Sequence, residues 1–327
     1  MTDALARMLA AREVILADGA PGPRLSALGL SATMAPELWN MAEPAKIATL
    51  HRESVAAGSD LLLTNTLGGT VPRLMPQAAQ KRVREINRIG AEIARNAADR
   101  TDRKIVVAGT VGPTGEIMAP GGSLSHALAV EMFHEQADAL KEGGADLLWL
   151  DTFSTPEEVL AAVEAVALAG LPWCGSTTGI GPADLLPLIA DLTPQPLAIG
   201  ATCGASASDT VRGVLAVGAQ GTRLPIIAMG NPGIPKDQDS QTQNDGDCAR
   251  MADYAVMARD AGARIIGGGD STAEHLRHMR DALDSRPRNE PPGLEQIAKT
   301  LGPFSTLPEG AGDAPAPRGD GRRRRHG

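Results

Sequence analysis

Eight times along this chain a short aliphatic run leads into Gly, Asn, Asp, Ser or Thr, and a segment of helical period separates it from the next. The runs are Glu13–Asp18, Asp60–Asn65, Ile105–Gly109, Asp146–Asp151, Leu171–Ser176, Leu197–Cys203, Pro225–Met229 and Ala263–Gly267. Continuous aliphatic runs of this length suit strands buried on both faces, as in parallel sheets covered by helices. Between them Val83, Ile86, Ile89 and Ile93 share one helical face, as do Val130, Phe133, Ala137 and Leu140. Thr155-Pro156-Glu157-Glu158 reads as a capped helix start with a capping-box Glu, and Ser271 with Glu274 repeats the pattern. Gly143-Gly144, Gly170 and Gly262 mark helix ends. Strands alternating with helices imply right-handed crossovers, and eight of them predict closure into a single-domain α/β (β/α)8 TIM barrel; a doubly wound open sheet is the alternative.

The barrel is expected over residues 1–285. Beyond it SRPRNEPPG, a short helical stretch near Gly293–Leu301 and a Pro/Gly/Arg-rich end form a tail over 286–327, expected to be disordered. Arg322–Arg325 within it read as a solvated charged terminus.

A formal net charge of −8 argues against a nucleic-acid-binding body, which would carry clustered cations to displace counterions from phosphate. No run approaches the roughly 18 apolar residues needed to span a bilayer, and the N-terminus lacks a signal-peptide pattern, so no membrane partner and a cytoplasmic location are expected. Three separated cysteines, Cys174, Cys203 and Cys248, fit a reducing compartment better than a disulfide framework. Cys174 reads as a small buried hydrophobe, and Cys248 as structural or incidental.

In a barrel of this kind function sits where the C-terminal ends of the strands meet their loops. Those ends carry Asp18-Gly19, Asn65-Thr66, Gly109-Thr110, Asp151-Thr152, Ser176-Thr177, Thr202-Cys203, Gly230-Asn231 and Gly268-Gly269-Asp270.

Read in order, ADGAPGPRL, AGSDLLLTNTLGGT, AGTVGPTGEIM, GGADLLWLDTFST, PLAIGATCG with PIIAMGNPGIP, and DAGARIIGGGDST resemble the homocysteine S-methyltransferases over roughly residues 10–285. The likeness is greatest to the bacterial betaine–homocysteine type and extends to the homocysteine-binding barrel of cobalamin-dependent methionine synthase. It implies methyl transfer from a betaine-like or sulfonium donor to homocysteine or a related thiol. It also implies a zinc ion held by three cysteine thiolates, which turns a thiol of pKa about 8.5 into a thiolate at neutral pH. The first of those cysteines matches Cys203, the expected catalytic metal ligand. The adjacent pair falls on Gly269, which has no ligand atom, and Asp270, a substitute ligand, so the zinc site is expected to be degenerate. Asp18 and Asp151 match the acidic positions that hold the amino group of homocysteine, with Asp151 where the family usually has Glu. Gly19, Asn65 and Thr66 complete the expected substrate site. Other departures crowd the same rim: Pro21-Gly22-Pro23 in the first loop, Leu67 in place of an aromatic, and a short Thr177–Gly181 loop. The alternative reading is a catalytically impaired barrel that regulates or binds an amino acid. The partners implied are a small-molecule thiol and a methyl donor, with homo- or hetero-oligomerisation open.

Overall fold

The structure, a computed structural model, describes residues 4–19, 21–178, 180–190, 192–201, 206–232, 248–269 and 271–305. All eight expected strands are present: β1 Ile15–Leu16, β2 Leu61–Leu63, β3 Val106–Val111, β4 Leu147–Phe153, β5 Trp173–Thr177, β6 Ile199–Ala201, β7 Ile226–Gly230 and β8 Ala263–Gly268. They form one parallel sheet in the order β1-β8-β7-β6-β5-β4-β3-β2. Ile15 and Leu16 pair with Ile265 and Ile266, so the first strand meets the eighth. The remaining seam closes through Asp60 N–H to Leu16 O at 2.7 Å, Asp18 N–H to Leu61 O at 2.9 Å and the parallel bridge Ala17–Leu61. The chain is therefore a (β/α)8 barrel, and the open-sheet alternative is set aside.

Strand parity decides what fills the barrel. Successive strand residues point to opposite faces, so every second side chain enters the lumen. Ile15, Ala17, Leu61, Leu63, Val106, Ala108, Leu147, Trp149, Cys174, Ile227, Met229 and Ile265 form one buried cluster there. Leu5 and Met8 of the helix Ala4–Ala11 join it. Cys174 is fully buried in this core, as its sequence context suggests. The opposite strand faces pack against the helices in a second, larger cluster that includes Leu16, Leu148, Leu150 and Ile266.

Helix ends follow the glycine signals: Gly144, Gly170 and Gly262 adopt positive φ, which glycine accepts without a Cβ clash. Two caps differ from expectation. Thr155 occupies the N-cap position of Pro156–Ala169 but makes no side-chain cap bond. The expected box partner Glu158 turns away and accepts from Thr114 N–H at 2.7 Å and Thr114 Oγ1 at 2.6 Å, because a buried carboxylate gains more from two donors than from a fraying helix end. The second capping box exists, but it joins Thr272 with His275 rather than Ser271 with Glu274.

The packed chain continues past residue 285. The helix Leu294–Leu301 buries Ile297 and Leu301, and Phe304 lies 4.8 Å beneath the Arg212 guanidinium. Arg259, itself buried, donates to the carbonyls of Arg286 and Pro287 at 2.8 and 2.7 Å. The boundary expected at 285 thus falls short of this packing, and residues 306–327, with Arg322–Arg325, lie outside the described residues. Among the described residues no helix is long and apolar enough to cross a membrane.

Candidate active site

The lumen parity carries directly into the mouth. One step beyond Leu63, Ala108, Trp149, Cys174, Met229 and Gly267 on the same strand faces stand Asn65, Thr110, Asp151, Ser176, Asn231 and Gly269. Above the β1–β4 half opens a cavity of about 520 Å³. Leu63 lines it together with Asn65, Thr66, Thr110, Thr114 and Asp151 from the strand ends. Met34, Ala35, Pro36, Glu37, Leu67, Pro72 and Arg73 from the β1 and β2 connections complete much of its wall.

Asp151 is the strand-end carboxylate that faces this space. Ser176 Oγ donates to its Oδ1 at 2.9 Å, and its residue is only 8% exposed. The next residue, Thr152, has φ +60, and the β4–β5 register shifts between Asp151 and Phe153. A β-branched residue in the left-handed region is costly, about 1–3 kcal/mol, and such strain gathers where a strand end must aim a side chain.

The Asn-Thr pair after β2 lines the cavity, but its donors are committed to the framework. Asn65 Nδ2 donates to Pro36 O at 2.8 Å and to Asn40 Oδ1 at 3.0 Å. Thr66 Oγ1 donates to Thr110 O at 2.8 Å, and Gln136 Nε2 donates to Thr66 O at 2.7 Å. These residues set the shape of the wall.

Asp18 stands elsewhere. It follows Leu16 on the helix-facing side of β1, is buried, and is not in the cavity wall. Its Oδ1 accepts from Leu63 N–H at 2.7 Å, and its Oδ2 lies 3.7 Å from His51 Nδ1. It ties β1 to β2 and to the helix Pro44–Ala56. Gly19 is a packing glycine: a Cβ there would come within 2.0 Å of Gly268 O.

Two functional candidates escaped the sequence reading. Glu37 is buried in a short 3-10 turn, Pro36–Leu38, and its Oε1 accepts from Gly68 N–H at 2.6 Å. Burial pushes its carboxyl up from the ordinary value of 4.5; hydrogen bonds from its own and the Gly68 N–H and the nearby Arg73 charge act the other way. Its signal was a lone carboxylate among Met34, Ala35, Pro36, Leu38 and Trp39. Arg73 stands on the short helix Val71–Leu74 with no such signal, since an exposed arginine is ordinary.

The expected metal ligands Cys203 and Asp270 lie outside the described residues. Gly269 is described, and its place is informative. A Cβ built on it would fall 2.0 Å from Asn231 Oδ1, the free end of the amide side chain that follows β7, which would have to turn aside for any larger residue. Gly269 itself has no side chain that could hold a metal ion. Among the described residues, the metal-type ligands that gather in a group of three are Cys248, Glu274 and His278, with ligand atoms within 4.8 Å of one another. They lie on the helices Cys248–Asp260 and Ala273–Ser285, where Glu274 and His278 are exposed, away from the cavity described above.

Known proteins bear out the fold. The crystal structure of the homocysteine methyltransferase MmuM from Escherichia coli, oxidized form, superposes with a TM-score of 0.70 at 23% identity, over 86% of this chain and 99% of that one. Its metallated form gives 0.70 at 22% identity, over 85% and 99%. Methionine synthase of Mycobacterium tuberculosis is 26% identical over 315 residues, covering 85% of this chain, which spans only about a quarter of that protein's length (25%). Homocysteine S-methyltransferase of Escherichia coli is 29% identical over 298 residues, 81% of this chain and 93% of that protein. The family described as homocysteine S-methyltransferase matches residues 15–283, β1 through most of the helix after β8, and the chain belongs to that family.

Proposed function

We propose that this chain transfers a methyl group from an onium donor to homocysteine or a related thiol, in the cytoplasm. The observation that carries the reading is the placement of Asp151 at the end of β4, facing a mouth cavity, within a family match that spans the barrel. The name of the Escherichia coli relative points the same way. The three separated cysteines suit a reducing compartment.

The chemistry asked of the residues is modest. Asp151, held by Ser176, offers a fixed carboxylate to the ammonium of an amino-acid thiol. The Asp151 carboxylate at the strand end also favours a cationic donor. Attack of the thiolate, its proton already released to solvent, on the methyl carbon forms a sulfur–carbon bond and breaks the bond to the onium centre, so the negative charge on sulfur and the positive charge on the onium atom are both lost. Holding the two reactants in line in one cavity is the main contribution such a site can make. No step is assigned to zinc at the family position, because Gly269 brings no ligand atom. The catalytically impaired alternative is less favoured: the cavity and its carboxylate persist.

The test is isotopic. The full chain is incubated with homocysteine and, in turn, methyl-labelled glycine betaine and a methyl-labelled sulfonium amino acid, and labelled methionine is measured. One donor should yield label above the protein-free control. Asp151→Asn should raise the KM for homocysteine about tenfold, the worth of one charge-assisted hydrogen bond, without changing the thermal midpoint. Absence of transfer from every donor overturns the reading.

A further inference from the structure

Arg73 is the cation of the cavity wall that the proposed chemistry leaves unused. Its side chain runs between two loop glycines: a Cβ on Gly68 would lie 3.4 Å from its Nε, and one on Gly115 would lie 3.4 Å from its Cδ and 3.5 Å from its Nη1. Gly115 has φ +81, a conformation that side-chain-bearing residues rarely adopt. The β2 and β3 loops thus form a slot that a larger residue at either position would narrow. Among the described residues the guanidinium has no hydrogen-bond or ion-pair partner, although it lines the cavity. Glu37, on the same wall, already uses Oε1 on Gly68 N–H and makes no ion pair with it.

The rest of the wall narrows the ligand. Quaternary onium groups are commonly held over aromatic faces. This chain has three Trp, one Tyr and three Phe, and none lines the cavity. All three Trp, the Tyr, Phe133 and Phe153 are buried in the packed layers, and Phe304 stacks on Arg212 outside the barrel. Recognition in the cavity therefore rests on hydrogen bonds and charge, for which a guanidinium's planar fork matches a carboxylate.

We propose that Arg73, seated between Gly68 and Gly115, is a specificity-determining residue that binds the carboxylate of a small zwitterion in the mouth cavity. Two sources carry that chemistry, the amino-acid thiol and a carboxylate-bearing onium donor. The assignment to these two rests on the proposed function; the carboxylate-binding property itself does not.

Binding to the purified full chain separates the cases. Calorimetric titrations compare L-methionine with L-methioninamide, and glycine betaine with choline, each pair differing at the carboxylate. At least one carboxylate probe should bind the parent at least about tenfold tighter than its partner. Arg73→Gln should remove that preference, and Arg73→Lys should keep part of it as a point charge without the fork. The pair that responds identifies the source. Thermal unfolding of both variants checks that the fold is intact, as expected for an exposed side chain. Equal affinity in parent and Arg73→Gln, or no binding of any probe to the parent, overturns the proposal. Methyl transfer with unchanged KM values in Arg73→Gln would reject this subsite while leaving the function standing. Arg73-dependent binding without any transfer would do the reverse.

Discussion

Glu37 and Gly269 show how single side chains shape this mouth from opposite directions. Glu37 is a carboxyl kept in a wall where burial disfavours its charge, and one Gly68 N–H is the partner of its Oε1. Its raised pKa fixes a sign. Below the ordinary value of 4.5 the group is neutral in both folded and unfolded chains and costs nothing. As pH rises the unfolded chain releases the proton first, so stability present at low pH is lost up to the folded pKa. Glu37→Gln keeps the acceptor for Gly68 but cannot ionise. Its thermal midpoint should rise relative to the parent as pH increases above the ordinary carboxyl value of 4.5, and a difference that does not change with pH would show that burial does not govern this group. Gly269 acts by omission: where the family is expected to carry a cysteine, no side chain stands, and Asn231 Oδ1 of the neighbouring strand end lies against the place. That the position lacked a ligand was legible from the sequence. That Asn231 stood beside it was not, because strands seven and eight are adjacent only once the barrel forms.

At the level of elements, the strands were readable because a run buried on both faces has no polar positions to interrupt it. All eight lie within a few residues of their expected spans. Their ends were less readable, since a strand stops where its ladder stops; β2 ends at Leu63, while its aliphatic and polar run continues to Asn65. The caps were misread where a tertiary partner competed, as when Thr114 took Glu158 away from its helix start. The β1–β2 seam depends on Asp60, which is 0% exposed and pairs with Arg12 at 2.6 Å, Arg280 at 3.1 Å and Arg103 at 3.6 Å. Its Oδ2 also accepts from Leu16 N–H at 3.2 Å. Removing one side of a buried ionic cluster leaves the remaining charges uncompensated, so Asp60→Ala should lower unfolding stability by about 3 kcal/mol. Chemical denaturation of parent and variant measures it, and a loss under about 0.5 kcal/mol would mean the three arginines are adequately solvated without Asp60.

For the molecule as a whole, the barrel and the strand-end half of the site followed from parity: Asn65, Thr110 and Asp151 continue the lumen faces of β2, β3 and β4. Asp18 breaks the pattern by one residue and is placed against His51 instead. Glu37 and Arg73 could not be read because they belong to excursions whose geometry no period encodes. The β1–β4 mouth of this family barrel holds a cavity, and the two positions after β8, Gly269 and Asp270, carry no thiol. If methyl transfer proceeds without zinc activation of the thiol, its rate must follow the thiolate population of homocysteine, whose pKa as an ordinary thiol is about 8.5. The direct measurement is the rate of methyl transfer from the active donor between about pH 6.5 and about pH 9.5, alongside the zinc content of the same protein. The expected result is a rise of roughly tenfold per pH unit that levels near the thiol pKa of about 8.5, with substoichiometric zinc. A rate flat across neutral pH, with one tightly held zinc lost in Cys203→Ala, would contradict it.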